Sequence, residues 1–294
     1  MSLSKAAFTI DVEDGISIAM RDAFSKQSEQ TDRVVRLTQR ILSLLDEHKV
    51  KATFFILGKV AEKFPELIGE IAEEGHELGV HGYHHRQFFC MSRQEAFNEI
   101  SCAKKLIEDI SGQAVWGHRA PAFSITPETE WGLDVIAEAG FTYDSSIMPI
   151  NGIRYGWPDF PREICKIKTP SGYELMEVPM STIQILGRQM PVCGGGYLRF
   201  SPEWLTQKAF EMIIRERPAI VYVHPYELDT EPYPEYYFEE LRKARFLKRN
   251  KMKSMWLNRK TVYPKLEMLL TNYEFDTMIS LVQKRKTCQK MLKI

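Results

Sequence analysis

The 294-residue sequence predicts an α/β fold with parallel strands and helices outside them, arranged as an open sheet or a barrel. Three observations predict it. Short apolar runs suited to buried strands alternate with amphipathic stretches of helical period. Hydrophobic content of 44% and charged content of 27% are ordinary for a globular chain long enough to bury a proper core. Ionisable residues recur at the ends of the predicted strands, where function gathers in parallel α/β folds.

The elements follow in order. Ala6–Val12 is an apolar run suited to a buried strand. Thr31–His48 places Val35, Leu37, Ile41, Leu42 and Leu45 on one side of a helix. Ala52–Leu57 is β-rich. Pro65–Glu74 reads as a helix stopped by Gly75, and Glu77–Val80 as a short strand. Ser92–Ile110 is a long amphipathic helix ending near Gly112, followed by a strand at Val115–His118. Pro127–Ala139 has Pro in its first turn and Gly140 after its end, the usual asymmetry of a helix. Phe141–Tyr143 and Ala219–Val223 are strands. Between them, residues 140–199 hold Pro149, Pro158, Pro161, Pro170, Pro179 and Pro191, and read as an elaborated insertion. Within it, Pro191-Val-Cys-Gly-Gly-Gly-Tyr197 is either a plain turn or a place where backbone approaches a ligand closely. The whole chain reads as one domain over 1–294, with a core over about 6–230 and a helical C-terminal extension over about 231–294.

Composition excludes several functions. Lys plus Arg and Asp plus Glu both number 39, so no global field draws nucleic acid. The five cysteines (Cys90, Cys102, Cys165, Cys193, Cys288) are scattered, odd in number and without a Cys-x-x-Cys, which predicts reduced thiols and a cytoplasmic protein. Met1-Ser-Leu-Ser-Lys5 shows no signal peptide, and no run of about 18 apolar residues predicts a membrane span. Leu241–Lys260 carries nine Lys or Arg and no acid. It reads either as a peripheral contact with an anionic surface, such as a membrane, or as a solvated face balanced by Asp229, Glu231, Glu235, Glu239 and Glu240 just upstream. The second reading is favoured on sequence.

Asp14, His81, Arg119, Asp144 and His224 close five predicted strands and should meet on one face. His81 and His85 follow the carboxylate cluster Asp11-Val-Glu-Asp-Gly15. One carboxylate and two imidazoles make half a coordination sphere and leave the rest open to water and substrate, the layout of a hydrolytic metal site. The spacing of His81 and His85 also suits one turn of helix, but Gly79-Val-His-Gly-Tyr reads as a loop. His84 is a bystander, His76 helps fix a turn, and His118 is structural, pointing to the opposite side of its strand from Arg119. Asp144 divides evenly between a site role and a turn cap. Of the aromatics Tyr155, Trp157, Tyr197, Tyr226 and Trp256, most should be core, and Tyr197 after the triple glycine is the best choice for a substrate contact.

These motifs together resemble the polysaccharide deacetylases of the NodB-homology type, carbohydrate esterase family 4, and more narrowly the branch found with exopolysaccharide and O-antigen gene clusters. The resemblance is carried by Thr9-Ile-Asp-Val-Glu-Asp-Gly15, Ala52-Thr-Phe-Phe-Ile56, Gly75-His-Glu-Leu-Gly79, His81-Gly-Tyr-His-His85, Arg119-Ala-Pro-Ala-Phe123, Tyr143-Asp-Ser-Ser146 and Val223-His-Pro-Tyr-Glu227. It implies a distorted (β/α) barrel, often seven-stranded, and hydrolysis of an N-acetyl group from an amino sugar in a glycan or glycan precursor. It implies a divalent metal on Asp14, His81 and His85, with Zn²⁺ the default and Co²⁺, Ni²⁺, Mn²⁺ or Fe²⁺ fitting the same ligands. His224 would be the acid, Arg119 would orient the base, and backbone near Ala122 and Phe123 would meet the tetrahedral oxygen.

One departure stands out. The family commonly shows Thr-Phe-Asp-Asp-Gly, with the first Asp as base and the second on the metal. Here Glu13 matches the base position, and Asp11 lies two residues earlier on the same strand face. Either serves as base; Glu13 is preferred, and Glu13→Gln would then keep metal and lose turnover. The acidic partner of His224 is open between Asp144 and Glu177. The rival readings are an allantoinase-like amidase with the same metal triad, an Fe(II) oxygenase, which the βα alternation disfavours, and a non-catalytic carbohydrate-binding relative.

Overall fold

A computed structural model of the chain describes residues 5–26, 28–152, 155–285 and 292–293. β1 (Ala6–Val12) runs into α1 (Gly15–Phe24), and α2 (Arg33–Glu47) returns the chain to β2 (Thr53–Ile56). α3 (Gly58–Lys63) and α4 (Pro65–Glu73) lead to β3 (Glu77–Val80), then α5 (Arg93–Ser111), β4 (Gly117–His118), α6 (Trp131–Glu138) and β5 (Tyr143–Asp144). The insertion supplies β6 (Cys165–Lys168), β7 (Glu174–Glu177), β8 (Thr182–Ile185) and β9 (Arg188–Pro191), followed by α7 (Gly195–Phe200), α8 (Glu203–Ile214) and β10 (Ile220–Val223). α9 (Glu235–Lys243), α10 (Phe246–Ser254), α11 (Val262–Asn272), β11 (Phe275–Asp276), α12 (Met278–Arg285) and β12 (Leu292–Lys293) complete it.

The main sheet runs β10-β1-β2-β3-β4-β5-β7, and every neighbour pair along that path is parallel. That gives the expected seven parallel strands of a distorted (β/α) barrel. β6 adds antiparallel to β7, and β11 joins β1. β7 and β10 do not pair with each other. Loop backbone fills the space between them: Met180 N–H donates to Ile147 O, Ile220 N–H to Ser181 Oγ (2.7 Å), and Tyr222 N–H to Cys193 O (3.0 Å). The sheet is therefore curled but not closed by strand pairing.

Alternation along β1 sorts its side chains into two cores. Phe8, Ile10 and Val12 join the large cluster under the helices, with Ile41, Leu45, Ile68 and Ile71. Ala7 faces the barrel interior with Phe55, Tyr143, Met176 and Tyr222. Each fully buried Phe or Ile of this kind is worth about 1.5–3 kcal/mol. The helix boundaries follow the local chemistry that sequence proposed. Ser92 and Glu95 form a capping box at the start of α5, Gly112 ends it in the left-handed conformation (φ 66°), and Pro65 opens α4.

The elaborated insertion contributes to the main sheet, because β7 pairs with β5. The C-terminal region packs on the core, since β11 pairs with β1. Cys90, Cys102, Cys165 and Cys193 are free thiols, and Cys288 lies outside the described residues.

The protein's own packing demands glycine at the start of the triple glycine. Gly194 bridges Tyr222 at the outer edge of β10, and a Cβ there would sit 2.0 Å from the Tyr222 ring. The ring cannot retreat, because it packs against Phe123 at 5.1 Å. Gly194→Ala is therefore expected to destabilise the fold by about 2 kcal/mol, read from the urea midpoint. An unchanged midpoint would show that this segment is not held against β10.

Candidate active site

Asp11 and Glu13 are two residues apart on β1 and its continuation, so both turn into the mouth of the barrel, and both are buried. Glu13 Oε1 lies 2.8 Å from His81 Nε2 and 2.9 Å from His85 Nε2. One donor atom from each of the three residues falls within 4.8 Å of the others. His81 follows β3 directly, and its ring is fixed by Nδ1–H donating to Arg119 O at 2.8 Å. That tautomer leaves the Nε2 lone pair facing Glu13, an arrangement that suits a cation between them. Burial pulls the His85 ring below its ordinary value, which favours the neutral form a ligand needs. Burial opposes the charge on Glu13, but the nearby His85, His224 and His81 hold its carboxyl well below the usual range. Two imidazoles and one ionised carboxylate within this distance fit a divalent cation.

Asp14 does not take the place expected for it. Its Oδ1 accepts from Ile16 N (2.7 Å) and Ser17 N (3.1 Å) as the N-cap of α1, and its Oδ2 accepts from Thr31 N. Strand parity is the reason. Residue 14 falls on the opposite side of the chain from residues 11 and 13, and its carboxylate is consumed by backbone donors. Glu13 occupies the position with the two histidines instead.

Arg119 is fully buried and makes the second cluster. Its Nη1 donates to Asp11 Oδ1 at 2.7 Å and to Thr9 Oγ1 at 2.9 Å, while Nε donates to Ser145 O at 3.2 Å. A buried guanidinium needs a carboxylate this close to offset its desolvation. The residue that Arg119 orients is thus Asp11, not Glu13. His224, at the end of β10, places Nε2 3.9 Å from Asp11 Oδ2. Its Nδ1 lies 3.2 Å from Glu227 Oε2, and Tyr226 stacks on its ring at 4.8 Å. Burial alone would lower the His224 pKa, but Glu13, Glu227 and Asp11 outweigh it and raise it to about 9.

The other expected residues divide. Ala122 and Phe123 follow Arg119 in left-handed backbone (φ 54° and 51°), a strained pair anchored by Ala120 N–H donating to Ser146 Oγ at 2.7 Å. Tyr197 is half-buried near Tyr222, whose ring meets His224 edge-on at 5.8 Å. Asp144 is not brought to the site. Fully buried, it is bound to His118 Nδ1 (2.8 Å) and Ser146 Oγ (2.7 Å). Glu177 accepts from Ile147 N, and burial and the neighbouring Asp144 push its carboxyl well above the usual range; neither acid contacts His224. His84 pairs with Glu99 at the surface, and His76 accepts from Ala52 N.

Sequence reasoning missed Glu227 and Arg21. Glu227 was legible in His224-Pro-Tyr-Glu227, a spacing that one 3-10 turn closes. Arg21 lies on α1, which sequence did not foresee. It donates to His84 O and to His85 Nδ1, both at 2.6 Å, across a gap of over sixty residues; this contact puts the neutral ring's proton on Nε2 toward Glu13, so a cation held at His85 Nε2 would displace it. It also lines a cavity of about 1000 Å³ with Ser17, Leu57, Lys59, Tyr83 and His84. Glu13, His81, His85, Asp11 and His224 are not among the residues that line this cavity.

Residues 29–143 match the family model described as polysaccharide deacetylase, and residues 145–283 match a domain of unknown function, DUF3473. A peptidoglycan-N-acetylglucosamine deacetylase of Bacillus cereus is 30% identical over 152 residues, covering 47% of this chain and 54% of that protein. The chain thus spans about half the length of this curated relative. A polysaccharide deacetylase crystal structure from Mycobacterium smegmatis superposes with a TM-score of 0.64 at 19% identity, covering 99% of this chain and 92% of that one. The PuuE allantoinase superposes with a TM-score of 0.60 at 15% identity, covering 97% and 90%. At these identities the two structures establish the shared fold.

The elevated pKa of His224 makes two measurable statements. A group raised above its unfolded value stabilises the fold fully below pH 6.5 and loses that contribution as pH rises through about 9. In the metal-free protein, Glu227→Gln should drop the His224 titration by about one unit or more in an NMR titration of the imidazole signals. A His224 signal that titrates unchanged in this variant would remove Glu227 as its partner.

Proposed function

Because the chain carries a polysaccharide deacetylase domain, we propose that it is a metal-dependent hydrolase removing N-acetyl groups from an amino sugar in a glycan or glycan precursor. The observation that carries this reading is the meeting of two clusters. Glu13, His81 and His85 form a cation site, and the Arg119-bound Asp11 and the charged His224 stand at its side. An acetamide resists water because its carbonyl is resonance-stabilised and its amine leaves poorly. The site holds a group suited to each difficulty.

Glu13, His81 and His85 would hold the cation, for which Zn²⁺ is the natural choice with this donor set and Co²⁺, Ni²⁺, Mn²⁺ or Fe²⁺ are alternatives. A divalent cation supplies Lewis acidity to the acyl carbonyl and lowers the pKa of water. Asp11 accepts the proton of the attacking water, whose oxygen bonds to the acyl carbon. Arg119 holds the Asp11 carboxylate in place through Nη1 at 2.7 Å. As the C–N bond breaks, His224 gives its proton to the departing nitrogen, so the products are acetate and the free amine. Glu227 holds the His224 ring from behind. The left-handed turn at Ala122 and Phe123 supplies backbone for the carbonyl oxygen, and Tyr197 borders the sugar.

Acetate release from N-acetylglucosamine oligomers, with bound metal measured on the same samples, tests these roles. Asp11→Asn should retain metal and lower kcat by about 10²–10⁴. Glu13→Gln should lose metal together with activity. Full metal in Glu13→Gln with full turnover in Asp11→Asn would return the base role to Glu13. Acetate from no N-acetylated sugar would favour an amidase on a smaller amide.

Activity should also fall on the alkaline side as His224 loses its proton. The bound cation offsets part of the charge on Glu13, so this limb should lie below about pH 9. Glu227→Gln should shift it lower still. A pH profile flat through this range would exclude His224 as the acid.

A further inference from the structure

Helices α9 and α10 form a rim beside the candidate active site. Tyr237, Leu241 and Met252 pack on Ile16, Ala19, Met20 and Ala23 of α1, the helix that Asp14 caps. After α10, Arg259 reaches back across the rings of Trp256 (4.6 Å), Tyr233 (5.5 Å) and Tyr226 (5.7 Å), and Tyr226 stacks on His224. The outer surface of this unit therefore lies on the same side of the molecule as the site.

That surface is basic, and four of the five acids just upstream are already paired, two of them with Arg242 and Lys243 of the basic stretch itself. Asp229 and Glu231 pair with Arg33 and Arg36, while Glu240 pairs with Lys26 and Lys243. Glu235 pairs with Arg242. Among the described residues, Arg245, Arg249, Lys253 and Lys260 have no carboxylate partner, in a stretch that contains no acid from Leu241 to Lys260. Large apolar side chains stand among these charges. Phe246 is 65% exposed and Leu257 55%. The neighbouring elbow between α7 and α8 adds Phe200 at 52% and Trp204 at 66%, and Arg199 ties that elbow to Met255 O. A solvated helix face accounts for the charge but not for these side chains. An anionic polymer accounts for the charge and gains little from Phe246 or Leu257. A bilayer with anionic headgroups accommodates both, with basic groups at the headgroups and apolar ones below them.

We propose that this face docks peripherally on an anionic lipid surface and turns the barrel mouth toward glycan carried there. The orientation toward glycan rests on the hydrolase reading; the docking does not, and it is measured without substrate. Co-sedimentation of the full chain with vesicles of phosphatidylcholine containing about one-third phosphatidylglycerol provides the test. Binding is expected at about 0.1 M salt, with loss at about 0.5 M and none to phosphatidylcholine alone. The double variant Arg245→Glu with Lys253→Glu should bind about tenfold more weakly or worse, with circular dichroism and acetate release from a soluble oligosaccharide unchanged. The double variant Phe246→Ser with Leu257→Ser should weaken vesicle binding while retention on heparin stays as before. Absence of wild-type binding to the anionic vesicles would overturn the proposal. So would unaltered vesicle binding by the Phe246 and Leu257 variant, which would leave a charged polymer as the partner.

Discussion

Side chains on a strand alternate between its faces, and in β1 this alternation decides what the protein can do. Ala7, Thr9, Asp11 and Glu13 share one side, while Phe8, Ile10 and Val12 take the other, where they anchor the strand beneath the helices. The apolar side fixes the register, and a slip by one residue would bury Asp11 and Glu13 among hydrocarbons. The same apolar packing that holds the sheet together therefore delivers two carboxylates to one mouth. Asp14, out of phase with them, turns away and starts α1.

Charges buried this deeply survive only with partners. Arg119 is fully buried and would be prohibitive alone, yet Asp11, Thr9 and Ser145 satisfy its donors, and Phe55 lies under its plane at 4.2 Å. Its backbone carbonyl also receives the His81 Nδ1–H. One residue at the end of β4 thus holds the carboxylate of one cluster and the imidazole of the other in fixed relation. Behind it, Asp144 holds Ser146, while Ser145 Oγ accepts from Arg119 Nη2 and donates to Val178 O, so both serines build the loop under Arg119. The resulting site is pre-organised, which is where enzymes gain most from buried polar groups.

Most strands and helices from β1 to β5 were legible, α1 and α3 excepted, because strong periodicity coincides there with clear caps, as at Ser92, Gly112 and Pro65. The histidine pair was legible from its loop context. The insertion was not, because β6 to β9 are short strands whose pairing depends on distant partners such as β5. The roles of Asp11, Glu13 and Asp14 were hard to assign for a different reason. Three carboxylates in four residues look equivalent as letters, and only the end of the strand and the cap of α1 distinguish them. Alternation already indicated that Asp11 and Glu13 face together; following it through would have set Asp14 aside. The contacts of Arg21 join segments far apart in the chain, so no local pattern announces them.

The central claim is that Glu13, His81 and His85, and not Asp14, grip one cation next to Asp11. An anomalous-scattering map from crystals of the Zn²⁺-loaded protein, collected at the zinc absorption edge, tests this most directly. The account predicts a single strong peak bounded by Glu13 Oε1 and the Nε2 atoms of His81 and His85, with the Asp14 carboxylate still on the amides of Ile16 and Ser17. A peak on Asp14, or no peak among these side chains, would contradict it.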